Sequence, residues 1–140
     1  MSFGNEIGPG ILWDSGRVGG EFNTPEQWHN LSRLLQAGIN GARDGAGDES
    51  IRTMIHVQMG GNVQQTRRFF DNLESENVDY DVIGLSYYPW WHSDGRGLEP
   101  LRENLEATIN RFGKDVMVVE TAYPWKPNND DPTKILHKKT

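Results

Sequence analysis

The sequence predicts an α/β fold in which parallel strands alternate with helices. After residue 50, short continuous apolar runs alternate with longer amphipathic segments, a pattern typical of a sheet covered by helices. His56, Tyr87 and Glu120 each end an apolar run, and they follow one another at intervals of 31 and 33 residues. This spacing suits either a (βα) barrel or an open doubly wound sheet.

The positions of polar residues favour the barrel. Polar or aromatic groups appear at the C-terminal end of every predicted strand, namely Asn5 and Glu6, His56, residues 86–91 and residues 120–125. In a barrel these ends converge on one mouth, where active sites are built. An open sheet would usually carry a glycine-rich phosphate turn after its first strand, and the sequence has none.

Individual elements follow from the periodicity. Strands are predicted at 52–57, 80–88 and 115–121, and amphipathic helices at about 62–76 and 98–112, the second ending at Gly113. An earlier helix begins after the N-cap Thr24, and "RDGAGDES" is expected to form a loop after it. The predicted buried faces of the three helices are Trp28, Leu31, Leu34 and Leu35; Val63, Thr66, Phe70 and Leu73; and Leu98, Leu101, Leu105, Ile109 and Phe112.

Composition excludes several classes of function. The 140 residues carry a net charge of −6 without a basic stripe, so nucleic acid is not an expected partner. The absence of cysteine excludes a disulfide framework, a thiolate metal site and a cysteine nucleophile. No apolar run approaches the roughly 20 residues of a membrane span, and the first residues lack the pattern of a secretory signal.

Two carboxylates facing each other across a barrel mouth can cleave a glycosidic bond. Glu6 and Glu120 are the candidates, although a glutamate after an apolar strand is more often a cap or loop charge. His56 is likewise more often an interior histidine than a ligand. Aromatic rings that could stack on sugar faces surround these positions: Trp13, Tyr87, Tyr88, Trp90, Trp91, Tyr123 and Trp125. Because two adjacent tryptophans after a proline cannot both enter one core, at least one should be exposed.

Four segments carry a resemblance to a known family: "GNEIGPGILW", "MIHVQMGG", "FFDNLESENVDYDVIGLSYYPWWH" and "GKDVMVVETAYPW". They closely resemble the arabinogalactan endo-β-1,4-galactanases of glycoside hydrolase family 53, whose members are (βα)₈ TIM barrels. The resemblance extends over residues 4–125. It implies hydrolysis of β-1,4-galactosidic bonds in (arabino)galactan with retention of configuration, with Glu6 as general acid/base and Glu120 as nucleophile.

The resemblance also implies which residues bind substrate. Asn5 would hold the sugar 2-hydroxyl, a contact that strengthens in the transition state. The remaining candidates for the subsites are His56, Ser86, Tyr87, Trp90, Trp91 and Trp125. Of the two adjacent tyrosines, we expect Tyr87 rather than Tyr88 to face Glu120. The implied ligand is β-1,4-galactan or a galacto-oligosaccharide.

A complete barrel needs about 250 residues and eight strands. The chain resembles only units four to seven, which predicts an incomplete half barrel of about four βα units in residues 1–127, followed by a polar loop or tail at 128–140. Such a half barrel leaves two sheet edges unpaired and is expected to self-associate.

No cofactor and no metal are expected. Some relatives hold a structural calcium ion after the nucleophile, and residues 128–131 offer oxygen ligands, but their spacing matches no calcium loop. Three alternatives stay open: a related glycosidase acting on another β-linked polysaccharide, a non-catalytic carbohydrate-binding fragment, and a fragment without independent function. An extracellular location is inferred from the size of the substrate alone.

Overall fold

The computed structural model describes residues 1–123. Its strands are β1 (Ser2–Phe3), β2 (Gly10–Ile11), β3 (Gly16–Arg17), β4 (Met54–Val57), β5 (Val82–Tyr87) and β6 (Asp115–Thr121). Its α-helices are α1 (Pro25–Ala46), α2 (Val63–Ser75), α3 (Pro89–His92) and α4 (Glu99–Phe112), and a 3₁₀ turn spans Gly20–Phe22. Trp125, residues 128–131 and the predicted boundary after residue 127 lie outside the described residues.

The main sheet has four strands in the order β1-β4-β5-β6, and all three pairings are parallel. Each strand therefore lies beside the next strand of the sheet along the chain, with helices in the connections. A doubly wound sheet would reverse its strand order at one point, and this sheet does not. The fold is an α/β partial barrel, as predicted. Strands β2 and β3 form a separate antiparallel hairpin.

The core lies between one face of this sheet and the helices. Ile55 and Val57 of β4 and Ile83 and Leu85 of β5 are at most 2 % exposed and belong to the same cluster as the buried helix residues. The helix residues of that cluster are Trp28, Leu31, Leu35 and Ile39 of α1 and Phe69, Phe70 and Leu73 of α2. The predicted burial of Trp28 and Phe70 is confirmed.

Side-chain caps begin two of the helices, and the cap at Thr24 is the one predicted from the sequence. Thr24 Oγ1 accepts a hydrogen bond of 3.2 Å from the backbone of Gln27, and Asn62 Oδ1 accepts one of 2.9 Å from Gln65. Helix α4 ends at Gly113, which has the left-handed φ of 61° expected of a C-terminal stop.

Helix α1 is longer than predicted, because it continues through Gly38, Gly41 and Gly45 to Ala46. The expected loop at "RDGAGDES" is therefore wrong in its first half. Packing overrides the low helix propensity of glycine here: Ile39 is completely buried, and Arg43 pairs with Asp79 and Asp81 beside the sheet. Tertiary contacts thus hold the last turns of the helix.

The predicted buried face of helix α4 is only partly correct: Leu105 and Phe112 pack against the core, but the fully buried residues lie on a neighbouring stripe. Its buried residues are Pro100, Asn104 and Thr108, whereas Leu98 is 66 % exposed and Ile109 is 49 % exposed. Asn104 Nδ2 donates to the carbonyl oxygen of Gly60 at 2.8 Å and to Thr66 Oγ1 at 2.9 Å. The polar stripe is satisfied inside the protein, so part of the apolar stripe faces outward.

Candidate active site

The face of the sheet opposite the helices carries the candidate site, and we call it the inner face. His56 on β4 pairs with Gly84 on β5, and these positions alternate with the core residues Ile55 and Ile83. A Cβ added to Gly84 would contact Cβ of His56 at 3.3 Å, so the two positions point to the same side. Ser86, two residues further along β5, also lies on the inner face.

Both His56 and Ser86 are buried, and His56 Nε2 lies 2.8 Å from Ser86 Oγ. They satisfy each other's polar atoms beneath the surface of the inner face. His56 is thus an interior histidine in this structure. Its hydrogen bond to Ser86 joins β4 to β5 near the C-terminal ends of the two strands.

An extra residue in β6 places Glu120 on the inner face. Leu85 pairs with Val118, but the next residue of β5, Ser86, pairs with Glu120, so Val119 has no partner in the ladder. In a regular ladder Val119 would oppose Ser86, and Glu120 would turn toward the helix side. This β-bulge therefore brings the carboxylate beside Ser86.

Tyr88 reaches Glu120 from the neighbouring strand end. Its hydroxyl donates a hydrogen bond of 2.9 Å to Glu120 Oε2. The hydrogen bond to Glu120 is the largest cause that raises the pKa of Tyr88, and the charge of Glu6 contributes in the same direction. The three groups therefore interact in one small region.

The expectation that Tyr87 faces Glu120 is wrong. Tyr87 is 1 % exposed, and its hydroxyl donates to the carbonyl oxygen of Gly97 instead. The physical reason is strand alternation: Ser86 and Tyr88 are two residues apart and share the inner face, so Tyr87 points away from it. Burial is the main cause that raises the pKa of Tyr87.

Glu6 follows β1 at the same end of the sheet. The backbone N–H of the next residue, Ile7, donates to the carbonyl oxygen of His56 at 2.9 Å, which anchors the loop to β4. Glu6 itself has a left-handed φ of 53°, which is uncommon for a residue other than glycine. Its side chain is partly exposed, and the preceding Asn5 is exposed.

Aromatic side chains extend from Tyr88 along the surface. Tyr88 lies 5.8 Å from Trp90 and 5.5 Å from Trp91, and the two indole rings lie 4.9 Å apart, measured between ring centroids. Trp91 is 67 % exposed, which confirms the prediction that one of the two tryptophans is exposed. Trp13 and Tyr123 are also exposed, at 59 % and 60 %.

Sequence reasoning missed His92, and it named Tyr88 among the aromatic rings near the site without assigning it to Glu120. The backbone N–H of Tyr88 donates to His92 Nδ1 at 3.1 Å. Burial is the main cause that lowers the pKa of His92, and the charge of Glu6 acts against it. Alternation counted from Ser86 would have identified Tyr88, whereas the contact of His92 depends on the short helix α3.

Residues 1–123 contain no group of three or more His, Cys, Asp or Glu side chains arranged to hold a metal ion. None of the helices in that range combines the length and apolarity needed to span a bilayer.

Comparisons with known proteins identify relatives of this chain. An uncharacterized protein of Niallia circulans is 47 % identical over 132 residues, which is 94 % of this chain and 35 % of the relative. The arabinogalactan endo-beta-1,4-galactanase of Humicola insolens is 33 % identical over 128 residues, 89 % of this chain and 36 % of the relative. The chain thus spans about a third of the length of these relatives.

Solved structures give the same result. A fungal beta-1,4-galactanase superposes with a TM-score of 0.75 at 32 % identity, covering 88 % of this chain and 36 % of its own. The GH53 catalytic domain of Ignisphaera aggregans has a TM-score of 0.75 at 30 % identity, covering 94 % and 33 %. The sequence pattern of glycosyl hydrolase family 53 matches residues 1–140. This chain therefore belongs to glycosyl hydrolase family 53.

Proposed function

We propose that this chain supplies the two catalytic glutamates of a retaining endo-β-1,4-galactanase. The observation that carries the proposal is the hydrogen bond from Tyr88 to Glu120 on the inner face, within the electrostatic reach of Glu6. Family membership and the galactanases among the relatives support galactan as the polymer that is cleaved.

In the proposed mechanism Glu120 is the nucleophile. Tyr88 holds one carboxylate oxygen of Glu120, which orients the other toward the anomeric carbon. As Glu120 forms a bond to that carbon, the bond to the leaving oxygen breaks, and Glu6 donates its proton to that oxygen. Water then attacks the anomeric carbon and gives its proton to Glu6, while the bond to Glu120 breaks and the carboxylate is restored. Retention requires the two carboxyl groups to lie about 5 to 5.5 Å apart.

The remaining site residues have four roles under this proposal. Asn5 binds the sugar 2-hydroxyl, and Trp90, Trp91 and Trp125 stack on sugar faces. His56 and Ser86, which are buried and bonded to each other, form the floor beneath the sugar. Tyr87 supports the segment at Gly97 rather than the nucleophile.

Reducing-sugar release from β-1,4-galactan tests the proposal, with mannan and β-glucan beside it. We expect the parent chain to release reducing sugar from galactan and Glu6→Gln and Glu120→Gln to release only background amounts. The control Glu21→Gln, at an exposed position in the 3₁₀ turn, should keep the activity of the parent chain. An activated 2-fluoro galactoside should add mass to the peptide that contains Glu120. Equal activity of both glutamine variants and the parent chain would contradict the assignment, and preferential cleavage of mannan or glucan would change the substrate.

A second candidate is carbohydrate binding without catalysis. It is favoured by the limited span of the chain, about a third of its relatives, together with the exposed ring of Trp91 beside Trp90. This function predicts saturable binding of galactan that Trp91→Ala weakens, with no sugar released by the unmodified chain.

We also propose that the chain self-associates. Met117 on the inner face is 55 % exposed, and about half or more of Ile109 on α4 and of Leu98, which precedes α4, is exposed as well. In the described residues β6 pairs only with β5. Exposed apolar surface beside an open strand edge favours association. Light scattering should show a mass above 15.9 kDa that Met117→Glu reduces.

Because a polymer is the proposed substrate, we place the parent enzyme outside the cell, and its detection in the culture medium would test this.

A further inference from the structure

His92 lies where it can control the position of Tyr88. It is the last residue of α3, and its Nδ1 accepts the hydrogen bond of 3.1 Å from the backbone N–H of Tyr88, the residue that precedes this helix. An imidazole nitrogen that accepts a hydrogen bond carries no proton, so the neutral ring must be protonated at Nε2. The contact therefore requires one tautomer of His92.

The imidazole ring of His92 contacts the rings of both tyrosines. Its centroid lies 5.7 Å from the ring of Tyr87 and 5.9 Å from the ring of Tyr88. The backbone N–H of His92 also donates to the carbonyl oxygen of Tyr88 at 2.9 Å. Residues 88 and 92 are thus joined by a backbone hydrogen bond, a side-chain hydrogen bond and a ring contact.

The loop after β4 packs against His92 and helix α3. A Cβ added to Gly61 would lie too close to the carbonyl oxygen of His92 and within 3.1 Å of its Cβ. Gly60, the preceding residue, donates to the carbonyl oxygen of Ser86 at 2.8 Å and accepts from the buried Asn104. Helix α3 therefore packs directly on a loop that is tied to β5 and α4.

A short path of hydrogen bonds links His92 to the proposed nucleophile. Nδ1 of His92 binds the N–H of Tyr88, and the hydroxyl of the same tyrosine binds Oε2 of Glu120 at 2.9 Å. We propose that His92 is a positioning residue, whose Nδ1 holds the backbone of Tyr88 so that its phenol stays on Glu120. The catalytic role of His92 rests on the proposed function, because it requires Glu120 to be the nucleophile. The hydrogen bond between His92 and Tyr88 does not depend on that function.

The test uses the 140-residue chain and needs no activity. Tyrosine labelled at Cζ with ¹³C would report the Tyr88 phenol by NMR, assigned by its loss in Tyr88→Phe, at neutral pH and through an alkaline titration. His92→Asn places an oxygen where Nδ1 lies, whereas His92→Gln places one near the position of Nε2. We expect the raised pKa of Tyr88 to persist in His92→Asn and to move toward about 10 in His92→Gln and His92→Leu.

Each outcome decides the proposal. If folded His92→Gln and His92→Leu keep the Tyr88 signal of the parent chain, or if His92→Asn loses it, the positioning role is wrong. Should His92→Leu fail to fold, the comparison of the Asn and Gln variants remains decisive. Glu120→Gln is a separate arm: no change of the Tyr88 pKa there would contradict the Tyr88–Glu120 contact on which the proposed function depends, without bearing on His92.

Discussion

The hydroxyl of Tyr88 donates a hydrogen bond of 2.9 Å to Oε2 of Glu120, while the hydroxyl of the adjacent Tyr87 is buried against the carbonyl oxygen of Gly97. The two neighbouring tyrosines thus make different contacts, because consecutive strand residues point to opposite faces of the sheet. One contacts the proposed nucleophile, and the other holds the segment that leads into α4.

We predict that removing the Tyr87 hydroxyl lowers stability, whereas removing the Tyr88 hydroxyl lowers activity. Tyr87→Phe should lower the free energy of unfolding by about 1 kcal/mol, because it removes the hydrogen bond that joins the buried Tyr87 side chain to Gly97. Tyr88→Phe should change that free energy by less than about 0.5 kcal/mol but lower galactan hydrolysis by about 10- to 100-fold. Urea unfolding and reducing-sugar assays measure the two effects, and a stability loss confined to Tyr88→Phe would contradict this division.

Asn104 should be a major determinant of stability despite being polar. Its side chain is fully buried and bonds to Gly60, Thr66 and Thr108. Asn104→Ala leaves buried polar atoms unpaired and should lower the free energy of unfolding by about 2 to 3 kcal/mol. The exposed Asn110 on the same helix provides the control, and Asn110→Ala should change stability by less than about 0.5 kcal/mol. Equal effects in urea unfolding would contradict the network.

The left-handed backbone conformation of Glu6 should lower the free energy of unfolding. Its φ of 53° lies in the left-handed region, which costs most side chains about 1 kcal/mol but which asparagine tolerates. Glu6→Asn should therefore raise the free energy of unfolding by about 0.5 to 1 kcal/mol while abolishing the proposed acid/base function. Glu49→Asn, at an exposed position where φ is not positive, is the matched control. A loss of stability in Glu6→Asn would show that the side chain contributes more than the backbone strain.

Asp81 should make the stability of the fold depend on acid. Thr53 donates its backbone N–H and its hydroxyl to Asp81 Oδ2 at 2.7 and 2.8 Å, and the backbone hydrogen bond is the largest cause that lowers the pKa of Asp81. A carboxyl whose pKa is lowered by folding stabilises the native state above its unfolded pKa of about 3.9. That contribution is lost as the pH falls through the lower folded pKa.

Replacing Asp81 tests this dependence. Urea midpoints measured from neutral pH to about pH 2 should fall less steeply for Asp81→Asn than for the parent chain, because the neutral amide does not titrate. Asp48→Asn, at an exposed position beyond α1, should keep the acid dependence of the parent chain. Parallel curves for the parent chain and Asp81→Asn would contradict a role for Asp81.

Much of the architecture could be read from local patterns. Strand β6 was predicted at its observed limits, and α2 and α4 were predicted within one residue at each end. The caps at Thr24 and Asn62 and the stop at Gly113 are local signals that involve only nearby residues. The patterns failed where a distant contact decides, as in the glycine-containing end of α1 and the outward-facing apolar stripe of α4.

The candidate site shows the same division. The sequence by itself determined that Glu6 follows β1, that Glu120 lies near the C-terminal end of β6, and that aromatic residues lie at the end of β5. Only the tertiary structure decided that Glu120 lies on the inner face, that Tyr88 rather than Tyr87 meets it, and that His92 holds Tyr88. The unpaired Val119 reverses the side to which Glu120 points, and a bulge exists only when one strand pairs with another. Spacing along a single strand carries no information about that pairing.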